Sequence, residues 1–169
     1  MKCYWCRDAA QADAAARLFS SNLTASYISH SELQGPRALA PGQWHPEIEK
    51  IIQDDVRSRI SAPDDAAPGE QTQLAAILED EGRTVGVFLV TFSRAGAVPH
   101  AVLEDMVVEK NARGKGYGSF FMKWIDQECL RRGIKRQFLE SGIENHDAHH
   151  LFERSGFKQV SVVMMKEIS

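Results

Sequence analysis

Residues 101–119 read AVLEDMVVEKNARGKGYGS. The first half of this stretch has the β-branched and apolar content of a strand, and its second half places three glycines in five positions, Gly114, Gly116 and Gly118. An amphipathic helix follows directly, with Tyr117, Phe120, Phe121, Trp124 and Ile125 spaced as one apolar stripe. A glycine-rich turn between a strand and a helix lets backbone approach a ligand closely, and the free N–H groups of a helix start favour an anion. Arg113 and Lys115 add positive charge at the same place. The local physics therefore predicts a phosphate or pyrophosphate ligand without saying which.

Upstream, QLAAILED and TVGVFLVTF flank a turn at Glu81-Gly82-Arg83 and read as a hairpin. Before it come a short strand over residues 2–7, an alanine-rich helix capped by Asp8, and a Pro/Gly-rich segment that breaks regular structure. A second helix starts near Pro46 and carries the stripe Ile48, Ile51, Ile52, Val56 and Ile60. Downstream, KRQFLESG reads as a strand, NHDAHHLFERSG as a helix closed by Gly156, and FKQVSVVMMKEI, residues 157–168, as a final strand. The order β-α-α-β-β-β-α-β-α-β predicts a mixed α/β layer fold. No repeat or long linker divides the 169 residues, so the chain is read as one domain, 1–169.

With 43% apolar and 25% charged residues, a packed core is expected. The net charge of −3 leaves no basic excess for nucleic acid. No apolar run reaches the ~20 residues that span a bilayer. The opening MKCYWCRDAA is too polar for a secretory signal, so no membrane partner and a cytoplasmic location are expected. Cys3 and Cys6 have the spacing of a redox or metal pair, but strand alternation sends them to opposite faces, and no second zinc-spaced pair follows. No metal is expected. A P-loop would need lysine just before its hydroxyl residue, and Tyr117-Gly118-Ser119 does not supply it. A Rossmann fingerprint would follow the first strand of a βαβ unit, whereas a hairpin comes first here.

LEDMVVEKNARGKGYG resembles the acetyl-CoA signature of the GNAT superfamily of N-acetyltransferases, with Arg113, Gly116 and Gly118 in the Arg/Gln-x-x-Gly-x-Gly/Ala places. A second stretch, Asn145-His146-Asp147-Ala148 followed by Leu151–Phe157, is similar to the family's Asn-x-x-Ala and Gly-Phe segment. The resemblance covers residues 84–165 and implies a V-splayed mixed sheet flanked by helices. It implies acetyl-CoA as cosubstrate. Met106, Val107 and Val108 would pair with the pantetheine arm, the backbone from Gly114 through Lys115, Gly116, Tyr117 and Gly118 to Ser119 would hold the diphosphate beside Arg113, and Asn145 would lie near the arm. Residues 73–169 would then form the cofactor core and 1–72 the acceptor side. A homodimer is the family habit.

The activity so implied is acetyl transfer to a primary amine of a small molecule such as a polyamine, amino sugar or aminoglycoside, by direct attack in a ternary complex. The rivals are a non-catalytic acyl-CoA-binding or regulatory module and a protein lysine or N-terminal acetyltransferase. An alkylammonium, with a pKa of about 10, must lose a proton before it attacks a thioester. Leu-Glu-Asp is similar to the strand of polyamine and amino-sugar acetyltransferases, which makes Glu104 the expected base and Asp105 a reserve that binds the amine. Alternation would send these two to opposite sides unless a bulge re-aims one. The oxyanion would meet a backbone N–H of this strand, that of Val107. Phe152 stands where many relatives carry a tyrosine acid, which motivates the non-catalytic reading. His100 is a candidate second base, His146, His149 and His150 crowd one helix, and Trp44 and His45 lie where the loop would cover the acceptor. An acidic excess in the first 72 residues suits a cationic acceptor.

Overall fold

A computed structural model describes residues 1–168. Strand β1 (Lys2–Trp5) leads into α1 (Ala9–Ser21), whose N-cap Asp8 accepts the Gln11 N–H at 2.8 Å. The Pro/Gly-rich segment is not featureless. It holds the short helix α2 (His30–Gln34), started by a Ser29/Glu32 capping box, and the small hairpin β2 (Ala38–Ala40) and β3 (Gln43–Trp44). Helix α3 (Ile48–Ser58) follows, then β4 (Gln71–Asp80), β5 (Arg83–Ser93) and β6 (His100–Val108). Helix α4 (Tyr117–Arg131), β7 (Arg136–Leu139) and α5 (His146–Arg154) complete the order. Residues 157–168 form no strand, contrary to the expectation from their pattern. A strand exists only when its backbone finds a partner ladder, and this stretch has none within the chain.

The main sheet runs β1-β4-β5-β6-β7, antiparallel except for the parallel β6–β7 pair. One face packs on α4 through Phe88, Phe92, Phe121 and Ile125. The other packs on α1 and α3 through Phe19, Ile52, Val56, Ile77 and Leu89. The expected stripe of α3 is thus the buried one. Cys3 joins the first cluster and Cys6 the second, so the two thiols face opposite sides of the sheet, and burial pushes both upward in pKa. Among the described residues no helix is long and apolar enough to cross a membrane.

Trp5 and Phe92 extend one edge of the first cluster to Glu128 on α4, which accepts from Trp5 Nε1 at 3.0 Å and from Arg131 and Arg132. Burial alone would raise the Glu128 carboxyl, but the bonds from Arg131, Trp5 and Arg132 outweigh it and lower its pKa from 4.5 to about 2. A carboxyl depressed on folding stabilises the fold above its unfolded pKa and loses that contribution as pH falls towards the folded one. Glu128→Gln should therefore be less stable than the parent at pH 7 and converge with it between about pH 5 and pH 2, where the parent loses the contribution, read by urea unfolding at each pH.

Candidate active site

The β6–β7 ladder pairs only His100–Leu103 with Arg136–Leu139. Beyond Leu103 the two strands part, and a narrow cleft opens between them. Its walls include Tyr27, Glu32, Glu104, Met106, Glu140 and Phe152, with Asn145 at the start of α5.

A register slip in the β5–β6 ladder lies at the mouth of this cleft. Leu89 pairs with Asp105 and Val90 with Leu103, so Glu104 is left over as a bulge. The extra residue reverses the parity of β6. Ala101 and Leu103 before it, and Met106 and Val108 after it, all reach the α4 cluster, while Val107 joins the opposite one. Glu104 and Asp105 consequently face the same α1/α3 side of the sheet, not opposite sides as simple alternation requires. Glu104 accepts from Arg59 Nη1 at 2.7 Å and from Thr91 Oγ1 at 2.6 Å. Asp105 is buried and accepts from Tyr27 Oη at 2.9 Å, and Arg37 Nη1 reaches both of its oxygens at 2.9 Å. Arg37 and Arg59 both bond Asp55 as well, and Arg37 lies 3.7 Å from buried Glu32. Four carboxylates therefore surround two guanidinium groups, and the assembly is net acidic. Burial pushes the Asp105 carboxyl upward against the pull of Arg37, and the same partners hold Arg37 protonated.

Glu140, just past β7, accepts from Ser29 Oγ at 2.6 Å and the Ser31 N–H at 3.0 Å, and meets His30 Nδ1 at 2.6 Å. This ties the loop after α1 across the cleft. Gly142 permits the closeness, because a Cβ there would run into the main-chain oxygens of Ser26 and Ile28.

Met106 directs its N–H away from β5, to Tyr27 Oη at 3.1 Å. Glu109 N–H donates to Val85 on β5. Backbone direction alternates along a strand, so Val107 presents its N–H to β5 while Met106 and Val108 present theirs to the cleft side. The amide that opens on the cleft is that of Met106, a correction to the expected Val107. Past β6, Arg113 folds back, its Nε donating to the Val108 carbonyl at 3.1 Å and its Nη2 to the Asn22 carbonyl at 3.2 Å. Gly114 and Gly116 have φ of +76° and +85°, with nothing within 4 Å of where a Cβ would stand. Gly116 is the N-cap of α4, so the first amides of that helix face an open cradle. Lys115 and Ser119 are exposed beside it. Tyr117 instead buries its ring and donates to Asp80 at 2.7 Å, and Gly118 lets α4 close onto Leu151 of α5 and Met106.

The remaining candidates fall outside the cleft. His100 Nδ1 lies 3.2 Å from the Val98 carbonyl, with its ring edge-on to Phe138. His146 lies 3.5 Å from Glu144 just ahead of α5 and His150 3.9 Å from Glu153 on it, and among the described residues no cluster of metal-ligating side chains occurs. Trp44 donates to the Thr24 carbonyl and packs 6.2 Å from Tyr27, and His45 accepts from the Glu47 N–H. Trp44 thereby braces the loop that carries Tyr27. Tyr27, Arg37, Arg59, Glu32 and Glu140 were not legible as site residues. Only Glu32 had a signal, the Ser29-x-x-Glu32 capping box.

A mixed sheet that parts between β6 and β7, with a glycine-rich helix start beside the cleft strand, is the fold of an acyl-CoA-dependent transferase. The acetyltransferase (GNAT) family model matches residues 39–157, and the chain belongs to that family and is an N-acetyltransferase. It is 25% identical over 150 residues to the uncharacterised N-acetyltransferase YycN of Bacillus subtilis, covering 89% of this chain and 92% of that one. Among solved structures it is similar to AAC(6')-Iy in complex with a bisubstrate analogue, CoA-S-monomethyl-acetylneamine, with a TM-score of 0.69 and 13% identity over 99% and 97% of the two chains. It is also similar to a ribosomal-protein-alanine N-acetyltransferase from Brucella melitensis biovar Abortus, with a TM-score of 0.66 and 12% identity over 99% and 100%.

Proposed function

We propose that the enzyme acetylates a primary amine of a small cationic molecule, an amino sugar or polyamine-like compound, using acetyl-CoA. One observation carries this reading. Glu32, Glu104 and Glu140 line the same cleft on which the Met106 amide opens. The residues present fit the cosubstrate: Met106 and Val108 turn strand backbone away from β5 toward the cleft side, Gly114–Ser119 offer an open turn for a diphosphate, and Asn145 lies at the cleft. Bound there, acetyl-CoA supplies an acetyl thioester. In this reading residues 73–169 hold the cosubstrate and residues 1–72 face the acceptor.

In this reading the acidic walls attract the ammonium and orient it. Glu104 takes its proton directly or through water, since each carboxylate oxygen keeps a second lone pair beyond its bond to Arg59 or Thr91. Asp105 does not touch the amine. It positions Tyr27 and Arg37, and thereby the loop that closes the acceptor side. The Met106 N–H stabilises negative charge on the acyl oxygen as the tetrahedral centre forms. Tyr27 Oη accepts from that N–H at 3.1 Å, and in this reading the acyl oxygen takes its place. Phe152 has no proton to return, and a thiol pKa of about 8.5 makes the thiolate a sufficient leaving group.

The test is thiol release from acetyl-CoA against a panel of polyamines, aminoglycosides, aminoalkyl compounds and peptides with free N-termini. Turnover should concentrate on the multiply charged small amines. Glu104→Gln should lower kcat/KM by roughly 10²-fold, the ordinary contribution of a positioned base. Equal rates for the variant and parent would remove Glu104 from the mechanism, and preference for the peptides would overturn the small-amine assignment.

A further inference from the structure

Tyr27 ends the short 3₁₀ turn Ala25–Tyr27 that follows α1, and its hydroxyl makes two bonds to β6. It accepts from the Met106 N–H at 3.1 Å and donates to Asp105 Oδ1 at 2.9 Å. A phenol has one proton and two lone pairs, so it makes both bonds at once, and Asp105 is the group that holds the proton. The ring is placed from two sides, edge-on to Phe19 with centroids 6.1 Å apart and tilted against Trp44 at 6.2 Å.

We infer that Tyr27 is a second catalytic residue: its hydroxyl and the Met106 N–H together stabilise the oxyanion of the tetrahedral centre. The inference rests on the proposed reading that this amide receives the acyl oxygen. An oxygen that accepts from the Met106 N–H in place of Tyr27 stands next to the hydroxyl it replaced, and the hydroxyl turns its proton from Asp105 to it. Asp105 can release that proton because Arg37 Nη1 still reaches both of its oxygens at 2.9 Å. Phe152, on the same cleft, has no proton to offer, and Ser29 Oγ is already engaged with Glu32 and Glu140.

Tyr27 acts here as a donor and not as an acid. Burial, and then the charge of Asp105, push its pKa well above the ordinary 10, so the proton is shared with the oxyanion and stays on the phenol. As the amine nitrogen bonds to the acyl carbon, the carbonyl π pair moves onto oxygen between the two donors. When that pair returns, the C–S bond breaks, its electrons leave on sulfur, and the thiolate takes a proton from water. The amine's proton has gone to Glu104. Both donors bind the charged oxygen more strongly than the carbonyl, so loss of one should fall on kcat.

Tyr27→Phe removes the hydroxyl and keeps the ring between Phe19 and Trp44. It should lower kcat by roughly 10²-fold, the ordinary loss of one oxyanion donor, with KM for the amine little changed. The decisive readout needs no turnover: difference infrared spectroscopy of bound acetyl-CoA, isotope-labelled at the thioester carbonyl, with no amine present. Two donors should move the C=O stretch below its position in free acetyl-CoA, and Tyr27→Phe should undo part of that shift. A Tyr27 that only anchored its loop would leave the band in place. An unmoved band in a Tyr27→Phe protein with the parent's circular dichroism, or an undiminished kcat, overturns the inference and leaves Met106 in its role. No shift in the parent itself, or no acetyl-CoA binding by calorimetry, overturns the Met106 assignment together with it. If Tyr27→Phe fails to fold, difluorotyrosine incorporated at position 27 keeps the shape and strengthens the donor. The band should then move further down, and a band at the parent position would again refute the role.

Discussion

Asp105→Ala should be the most destabilising single change at the site, costing about 3 kcal/mol in urea unfolding at pH 7. Its carboxylate is buried at 3% exposure, and it is the shared acceptor of Tyr27 and Arg37. Removing one member of a buried ion pair leaves the other charge without its partner, which costs about 3–5 kcal/mol. The lower end applies because Arg37 keeps Asp55 at 2.6 Å. Asp105→Asn keeps the shape and an acceptor for Tyr27, so it should lose less. Catalysis should suffer with stability: Tyr27 and the loop braced by Trp44 lose their anchor, and a displacement of about 1 Å at a reacting geometry can cost 10²-fold in kcat/KM. An Asp105→Ala variant as stable as the parent would mean that Arg37 does not depend on this contact.

Gly116→Val should weaken acetyl-CoA binding by 10–100-fold on the proposed reading, an estimate of about 1.4 kcal/mol per tenfold. Two effects combine. The φ of +85° is a conformation in which a residue with a Cβ costs about 1–2 kcal/mol. The side chain would also stand in the open space above the first amides of α4, where the diphosphate is proposed to lie. The control is Gly133→Val at the far end of α4, with φ of +67° and likewise nothing within 4 Å of the added Cβ. It carries similar strain but should leave KM for acetyl-CoA unchanged. Calorimetric titration of coenzyme A with both variants separates the effects. Equal losses at the two glycines would reduce the cradle to a strained turn.

Much of the architecture was legible because it rests on local rules. The Asp8 cap, the Glu81-Gly82 turn, the α3 stripe and the strand-glycine-helix passage at 101–119 each follow from neighbours within a few positions. The small hairpin at 38–44 was missed, because its strands are two and three residues long and the prolines and glycines around them read as loop. The strand expected at 157–168 failed for the opposite reason. Its composition suits a strand, but a ladder needs a second backbone that the sequence pattern cannot supply.

The site divides in the same way. Arg113, Gly116 and Gly118 stand out by their spacing, since a glycine-rich helix start is a contiguous piece of backbone. Glu104 and Asp105 could be found as residues but not aimed, because one extra residue against Leu89 and Val90 reverses the parity of β6. Tyr27, Arg37, Arg59 and Glu140 come from four separate segments and meet only after folding. The sequence by itself determined the layered fold and the glycine-rich turn into α4, which depend on periodicity and local backbone freedom. Only the tertiary structure decided which amide opens on the cleft, which side the two carboxylates face and which distant charges neutralise them, because those depend on strand register and on contacts between residues up to 79 positions apart.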